Sequence, residues 1–323
     1  MKSRPLLLFL LLLFVAPPSL SAAPAPSLHR PLRIAVVADG PWERNQEFFP
    51  LLREVLNEVL GEQVPVTFYG NAMLEADWTL AGVKRINDRL LADTAADLIL
   101  GMGVLSSHDL ATRGPLPKPV IAPIVLDPAH QKIPLQAGGT SGVKNLSYLI
   151  FPTTFERDIR LFRGIVPIHK MAYVFSRRYE HALPFLAPAA EAIAKGQGVQ
   201  VVPITADTSA DEVLEAIPPD ADAVYLAAIA HFSAREFGKL ARGFVARHLP
   251  SFSLLGASDV RQGIMASANP DFLPRVTRRI ALHIQRIASG QDPATLSVDL
   301  GIGKRLLFNF QTAYTVGVTP SWD

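Results

Sequence analysis

Two short polar stretches follow apolar runs and have residue types that could hold a ligand. Asp39-Gly-Pro-Trp-Glu43 comes after the run 34–38, and Ser176-Arg-Arg-Tyr179 comes after the run 171–175. An aromatic ring and two carboxylates could hold a ligand ring and an amine, because binding sites combine apolar surface with a few polar groups. One arginine of the second stretch could face an anion. Solvated turns, with Trp42 packed against the protein, are an equally good interpretation.

A glycine-rich stretch offers a third place where backbone could approach a ligand. Gly101-Met-Gly-Val-Leu-Ser106 resembles part of a dinucleotide fingerprint, but Ser106 replaces the third glycine and the segment follows the third predicted strand rather than the first. We therefore expect a glycine-lined strand end rather than a nucleotide site. The hydroxyls of Ser106 and Ser107, with the free N–H groups of a following helix, would suit a carboxylate or another anion.

Histidine and cysteine usage argues against metal and redox chemistry. The eight histidines have no metal-binding spacing and the chain has no cysteine, so we expect no metal and no cofactor. No Gly-x-Ser-x-Gly motif occurs and no histidine has a nearby triad partner, so we predict a protein that is not an enzyme; a hydrolase would need a nucleophile beside a base. His231 follows an apolar run and either faces a crevice or starts a helix at the surface.

The elements that would position these residues alternate between strands and helices. Continuous apolar strands separated by amphipathic helices are typical of parallel sheets covered on both faces. Polar residues at the carboxyl ends of such strands are where ligands bind. Sequences with capping-box form begin at Thr153, Ser209 and Ser233. The predicted strands are 33–38, 64–69, 97–100, 119–125, 171–175, 200–204, 223–227 and 251–255, and the main predicted helices are 48–60, 80–94, 153–164 and 270–289, with short strands and turns after 290.

This pattern predicts an α/β protein with two Rossmann-like lobes, each built on a parallel sheet, and a crevice between them. A Gly-rich passage, Gly138-Gly-Thr-Ser-Gly142, separates the two halves. We assign residues 28–146 and 271–292 to lobe 1, and residues 147–270 and 293–323 to lobe 2.

The first residues have the features of a cleavable export signal. Lys2 and Arg4 precede the apolar run 6–15, which is too short to span a bilayer, and small residues follow at 19–23. We predict a signal peptide over 1–22 and a periplasmic protein that lacks the cysteine of a lipoprotein. Without Lys2 and Arg4, the chain has 29 basic and 29 acidic residues, and no basic stripe indicates a nucleic-acid partner. We expect a monomer.

Four segments resemble the ABC-transporter substrate-binding proteins related to tryptophan and tyrosine uptake, which have the type I periplasmic-binding-protein fold. Lys118–Pro128 looks like the fourth strand of that family, with its Asp-Pro ending. Gly138–Val143 is similar to the crossover, and Leu254–Ala266 is similar to the late strand and turn. Leu307–Pro320 looks like the closing Asn-x-x-Thr-Ala-x-x-x-Gly-x-x-x-Pro pattern, which is the most specific of the four.

The resemblance implies two lobes joined by three crossovers, which close around a small molecule and deliver it to an ABC permease. Amino-acid binders of the family have an acidic residue after the strand equivalent to 223–227, whereas this chain has Ala-Ala-Ile-Ala-His231. Enclosing an ammonium group without a carboxylate is costly, so an α-amino-acid ligand is in doubt. The loss also admits an alternative, a periplasmic adaptor or sensor associated with an efflux component or a membrane receptor. The predicted ligand-binding residues are Asp39, Gly40, Trp42, Glu43, Gly103, Ser106, Val125, Asp127, Ser176, Arg177, Tyr179, Ala228, His231 and Ser258.

Overall fold

The computed structural model describes residues 30–61, 64–151, 154–269, 272–301 and 305–319. The predicted signal peptide, Thr153 of the first predicted capping box and Pro270 at the start of the predicted late helix lie outside these residues. Across the described ranges, no helix combines the length and the hydropathy of a membrane-spanning segment.

The first sheet has five parallel strands in the order β2-β1-β3-β4-β5. Its interior strand β1 is apolar from Ile34 to Ala38 because both of its faces are covered. Ile34 and Val36 pack on one side of the sheet, and Ala35 and Val37 pack on the other. The strands are β1 (Leu32–Ala38), β2 (Val66–Glu75), β3 (Leu98–Met102), β4 (Val120–Val125) and β5 (Leu146–Ile150).

Helices cover both faces of this first sheet. One face packs against two long helices, α1 and the late helix α11, through side chains such as Leu52 and Ile280. The other face packs against α2 and α3 through side chains that include Leu90 and Leu110. These helices are α1 (Asn45–Leu60), α2 (Leu80–Ala92), α3 (Val104–Ala111) and α11 (Phe272–Ala288), with the short α4 (Pro128–Gln131) after β4.

The second sheet has six strands in the order β11-β10-β9-β8-β6-β7, of which only β11 runs antiparallel to its neighbour. Met171 and Tyr173 of its strand β6 pack on one face, and Ala172 and Val174 pack on the other. The strands are β6 (Lys170–Ser176), β7 (Gln200–Ala206), β8 (Ala223–Leu226), β9 (Ser251–Ser253), β10 (Ala266–Ser267) and β11 (Leu307–Phe308); the helices are α5 (Phe155–Arg163), α6 (Arg177–Ala182), α7 (Leu186–Gly196), α8 (Ala210–Ala216), α9 (Ala234–Ala246), α10 (Ala257–Arg261) and α12 (Phe310–Thr315).

Two mostly parallel sheets covered by helices confirm the predicted fold class. Two of the differences from the prediction concern β5 and the last residues. Strand β5 was not predicted, because the Gly-rich passage before it and the buried Ser147 within it obscure the strand pattern. The last residues contain the short helix α12, capped by the Asn309 side chain, where only strands and turns were expected.

The chain passes between the sheets three times: from β5 to α5, from β10 to α11, and between Asp299 and β11. Strand β5 pairs with β4, so we place the first crossover after Ile150, four residues later than the predicted boundary. Isolated bridges join Ser297 to Thr140 and Asp299 to Ile150. We therefore group residues 293–299, which include a 3-10 helix at Pro293–Thr295, with lobe 1.

Two of the predicted capping residues accept the expected backbone hydrogen bond. The Ser209 hydroxyl accepts from the N–H of Glu212 at 3.4 Å, and the Ser233 hydroxyl accepts from the N–H of Glu236 at 3.2 Å. The Glu236 carboxylate accepts instead from the N–H of Ala210, at 2.9 Å. It thereby links α9 to α8 rather than completing its own capping box.

Candidate functional site

The carboxyl ends of the two sheets face each other across a cavity of about 400 Å³. Lobe 1 supplies the residues after β1 and β3, the start of α1 and the start of α11. Lobe 2 supplies the start of α6, the end of β8 and the loop from β9 into α10. The cavity is lined by residues of both lobes, which include Asp39, Gly40, Trp42, Arg44, Asn45, Glu47, Trp78, Gly103, Ile124, Leu126, Tyr179, Ala228, Ser258 and Arg261.

Asp39 lies at the end of β1, where its carboxylate serves the neighbouring helix. Its two oxygens accept the N–H groups of Leu105 at 2.9 Å and Ser106 at 2.8 Å, which are free donors at the start of α3. Gly103 is needed here because a Cβ on it would overlap the Asp39 carboxylate. Burial raises the pKa of Asp39, and the α3 amides oppose that shift. The carboxylate therefore balances a helix terminus within the protein.

Trp78, in the loop between β2 and α2, covers the end of β1. Its indole packs so closely on Gly40 that a Cβ on Gly40 would lie within 2.5 Å of the ring. The Trp78 backbone has φ +61°, a left-handed conformation that is costly for a bulky residue, and its N–H donates to the Asp39 carbonyl at 2.7 Å. The surrounding structure thus holds a strained residue against the cavity, as is common at ligand clamps.

Arg44 and Asp259 form an ion pair that joins the two lobes across the cleft. Arg44 precedes α1 in lobe 1, and Asp259 lies in α10 of lobe 2. The Asp259 side chain is 1% exposed and also accepts the hydroxyl of buried Ser253. Burial raises the pKa of Asp259, while the Arg44 charge opposes that shift. The Arg44 guanidinium also lies over the Trp42 ring, 5.1 Å from its centroid.

A second, smaller cavity of about 240 Å³ lies beside the first. Trp42, Arg44 and Glu47 line both cavities, whereas Glu43 and Asp259 line only the smaller one. The Arg44–Asp259 pair and the Trp42 ring therefore stand between the two spaces.

An apolar contact between the lobes closes one side of the cleft. Tyr179 and Leu183 of lobe 2 pack against Val83, Val104 and Leu105 of lobe 1. Tyr179 is buried and also lines the main cavity, and its burial together with the nearby Asp39 charge raises its pKa well above the ordinary value. Its phenol is therefore neutral and supplies an aromatic wall.

His231 lies behind Trp78 rather than on the cavity wall. The two rings meet edge to face with centroids 6.0 Å apart. Its Nδ1 lies 3.2 Å from the Ser176 hydroxyl, and its buried Nε2 has no hydrogen-bond partner among the described residues. Burial lowers the pKa of His231 to about 4, although Asp207 opposes the shift. The ring is therefore neutral near pH 7.

The structure brings seven of the predicted residues to the main cavity: Asp39, Gly40, Trp42, Gly103, Tyr179, Ala228 and Ser258. The other predicted residues lie elsewhere for identifiable reasons. Glu43 lines the smaller cavity, Val125 is in the core of lobe 1, and Arg177 is exposed on α6. Asp127 caps α4 through the N–H of His130 at 2.9 Å.

Ser106 and Ser176 also contribute to local structure rather than to the cavity wall. Ser106 is fully buried, and its N–H donates to Asp39. Ser176 is 1% exposed and caps α6 by accepting the N–H of Arg178 at 3.2 Å.

Several cavity residues were not predicted, and among them are Trp78, Arg44 and Arg261. Trp78 lies within Asp77-Trp-Thr79, which has the form of a helix start. An aromatic residue at a helix start was the available signal. No local sequence signal indicated Arg44, because its partner Asp259 is 215 positions away.

The described residues assemble neither a metal site nor a serine–histidine pair that lines the cavity. They contain no group of three or more His, Asp or Glu residues placed to hold a metal ion. Two serine–histidine pairs exist, Ser176–His231 at 3.2 Å and Ser147–His283 at 2.9 Å. Both serines are buried and neither lines the cavity, so these pairs do not present a nucleophile to the cleft.

Comparison with solved structures shows the fold. An ABC domain from Streptococcus pneumonia, solved in complex with L-Trp, superposes with a TM-score of 0.72 at 18% identity, covering 90% of this chain and 96% of the other. A conserved domain protein from Vibrio cholerae gives 0.72 at 18% identity, covering 91% and 97%. An ABC transporter solute-binding protein from Agrobacterium vitis bound with alpha-D-tagatopyranose gives 0.56 at 13% identity, covering 86% and 94%.

These neighbours have the two-lobe type I periplasmic-binding-protein fold, and this chain has the same fold, as the sequence resemblance implied. Neither the family models nor the curated protein sequences match the chain.

Proposed function

We propose that this protein is an exported solute-binding protein that encloses a small molecule between its two lobes and delivers it to an ABC permease. The observation that carries the proposal is the cavity of about 400 Å³ lined from both lobes. Its volume falls within the range of about 300–1,000 Å³ that is typical of small-molecule sites. The binding proteins among the structural neighbours support it, and they do not favour the adaptor or sensor alternative.

The lining has the mixture of apolar walls and a few polar groups that is typical of a binding site. Trp42, Trp78 and Tyr179 supply flat apolar walls, and Ile124 and Leu126 add aliphatic surface. The few polar groups in the walls, such as Ser258, would orient a ligand without reacting with it.

The direct test is a thermal-shift screen of small metabolites, followed by calorimetry, with L-Trp as the first probe because a structural neighbour was solved with it. A ligand that binds only the folded protein raises its melting temperature. Failure of every compound to shift the melting temperature would contradict the proposal.

Tryptophan emission provides an independent measurement. The chain has three tryptophans; Trp42 and Trp78 line the cavity, and Trp322 lies outside the described residues. In a Trp322→Phe variant all tryptophan emission comes from the cavity walls. A non-fluorescent ligand found in the screen should change this emission saturably, with the same dissociation constant that calorimetry gives.

Export is part of the proposal and is tested separately. Mass spectrometry of protein recovered from the periplasm should show a chain that starts near residue 23. An intact Met1 terminus on that protein would contradict cleavage.

A further inference from the structure

The charged side chains nearest the inner cavity already have partners within the protein. The Asp39 carboxylate accepts two N–H groups of α3, at 2.9 and 2.8 Å. The Arg44 guanidinium is paired with Asp259. Each of these groups therefore has a hydrogen-bond or ionic partner before a ligand enters.

The Arg44–Asp259 pair is poorly placed to be opened by a ligand. The Asp259 side chain is 1% exposed and that of Arg44 is 20% exposed, so both have lost much of their hydration. Among the described residues, Arg44 is the only cation paired with Asp259. A carboxylate or an ammonium group inserted here would separate the pair and leave one of its members buried without a counter-charge, which is strongly unfavourable.

The remaining charges of the lining lie in water and have opposite signs. Glu47 of α1 and Arg261 of α10 are both exposed, and neither forms an ion pair within the described ranges. Exposed charges contribute little because solvent screens them. Together with the apolar walls, they leave an inner surface without net charge.

From this arrangement we infer that the site takes a neutral, largely apolar planar molecule. The Arg44–Asp259 pair forms the ionic contact between the lobes, so the ligand does not have to supply a charged group for that contact. The inference deepens the proposed function by naming the chemical class of its ligand. It predicts that closure needs no ammonium or carboxylate from the ligand.

A set of four probes with one ring system tests it by calorimetry: indole, tryptamine, indole-3-acetate and L-tryptophan. They are neutral, cationic, anionic and zwitterionic at pH 7. Indole should bind at least as tightly as each charged probe, because a charged head adds a desolvation cost without gaining a partner. Binding of L-tryptophan or another charged probe about tenfold tighter than indole would overturn the inference and leave the proposed function standing.

Removing one member of the Arg44–Asp259 pair should create a preference for ligands of one charge. In Asp259→Asn the Arg44 charge is freed at the cavity wall, and a charge-assisted hydrogen bond should then raise the affinity for indole-3-acetate about tenfold. Indole has no charged group to gain this bond, so its affinity should not rise. Asp220→Asn is the matched control, because it removes the same charge from the same lobe at the far end of β6, where Asp220 pairs with Lys170 at 2.6 Å.

The reciprocal and double variants keep the test decisive if one single variant folds poorly. Arg44→Gln should shift preference toward tryptamine, and Arg44→Gln with Asp259→Asn should restore the preference for indole, since no free charge remains. Thermal melts verify folding of each variant. Unchanged charge selectivity in the folded single variants would overturn the inference, whereas failure of all four probes and of the metabolite screen would reject the proposed function as well.

Discussion

At the scale of single residues, the cleft depends on side chains that neutralise or cover one another. Asp39 balances α3, Arg44 balances Asp259, and Trp78 covers Gly40. The cavity keeps its apolar character because these contacts are internal. Changes of one residue should therefore act by displacing a neighbour.

Gly40→Ala should weaken ligand binding without unfolding the protein. The added methyl group would overlap the Trp78 indole and push it into the cavity. We expect about a fivefold loss of affinity for the tightest probe, measured by calorimetry, since losing one well-placed aromatic contact costs about 1 kcal/mol. Gly138→Ala is the control because a Cβ there would meet no atom within 4 Å. Equal affinities of the two variants would refute the role of Gly40.

The buried His283 should make stability depend on pH. It is 2% exposed, and burial together with Arg279 and Arg286 lowers its pKa to about 4. The unfolded chain, with an ordinary histidine pKa of 6.5, therefore binds a proton more readily than the folded protein between about pH 6.5 and 4. Stability falls as the pH falls through this window, by up to about 3 kcal/mol from this residue.

Urea unfolding at several pH values measures the effect. His283→Leu should show a shallower loss of stability between pH 6.5 and 4 than the unsubstituted protein, although it also removes the 2.9 Å contact with Ser147. A loss with the same slope in both proteins would show that His283 is not responsible.

At the scale of elements, a buried polar network fastens the first crossover to lobe 2. Asp158 of α5 is fully buried and accepts the hydroxyls of Thr154 at 2.8 Å and Tyr225 at 2.9 Å, as well as the Arg157 guanidinium at 2.7 Å. The amide of Asn269, beside the second crossover, donates to the Thr154 hydroxyl at 3.3 Å. The network thus ties two crossovers to one strand and one helix.

Asp158→Ala should destabilise the protein by about 3–5 kcal/mol, because it removes the buried carboxylate that pairs with Arg157 and accepts the hydroxyls of Thr154 and Tyr225. Urea unfolding at pH 7 provides the measurement. The conservative Asp158→Asn should cost less, since an amide oxygen still accepts a hydroxyl. A cost below 1 kcal/mol for Asp158→Ala would mean that the network does not support the crossover.

The elements could be predicted from sequence where the apolar pattern is local. Strands β1 and β6 are continuous apolar runs because both faces of each sheet are covered, and such runs are visible without a structure. Strand β5 was missed because Ser147 bonds to a residue of distant α11. Within the site, Asp39 and Trp42 could be predicted as cavity residues because they closely follow strand β1. The Arg44–Asp259 pair could not be predicted, because it forms only where the two lobes meet.

At the scale of the whole molecule, contacts on either side of the cavity join the two lobes. The ion pair Arg44–Asp259 lies on one side, and the apolar cluster around Tyr179 lies on the other. Both are formed by the protein itself, so they connect the lobes without a ligand.

Charge reversal in the ion pair should open the cleft. In Asp259→Arg two arginines face each other, and small-angle X-ray scattering of the ligand-free protein should give a larger radius of gyration than that of the unsubstituted protein. The swapped variant, Arg44→Asp with Asp259→Arg, restores opposite charges and should return toward the original value. If the single and swapped variants have the same radius as the unsubstituted protein, the pair does not control closure.

The separation of the ion pair from the apolar walls bears on how such proteins diversify. The ion-pair residues Arg44 and Asp259 differ from the aliphatic wall residues Ile124 and Leu126. Exchange of the aliphatic residues can therefore reshape the space for a ligand while the ionic contact between the lobes is kept.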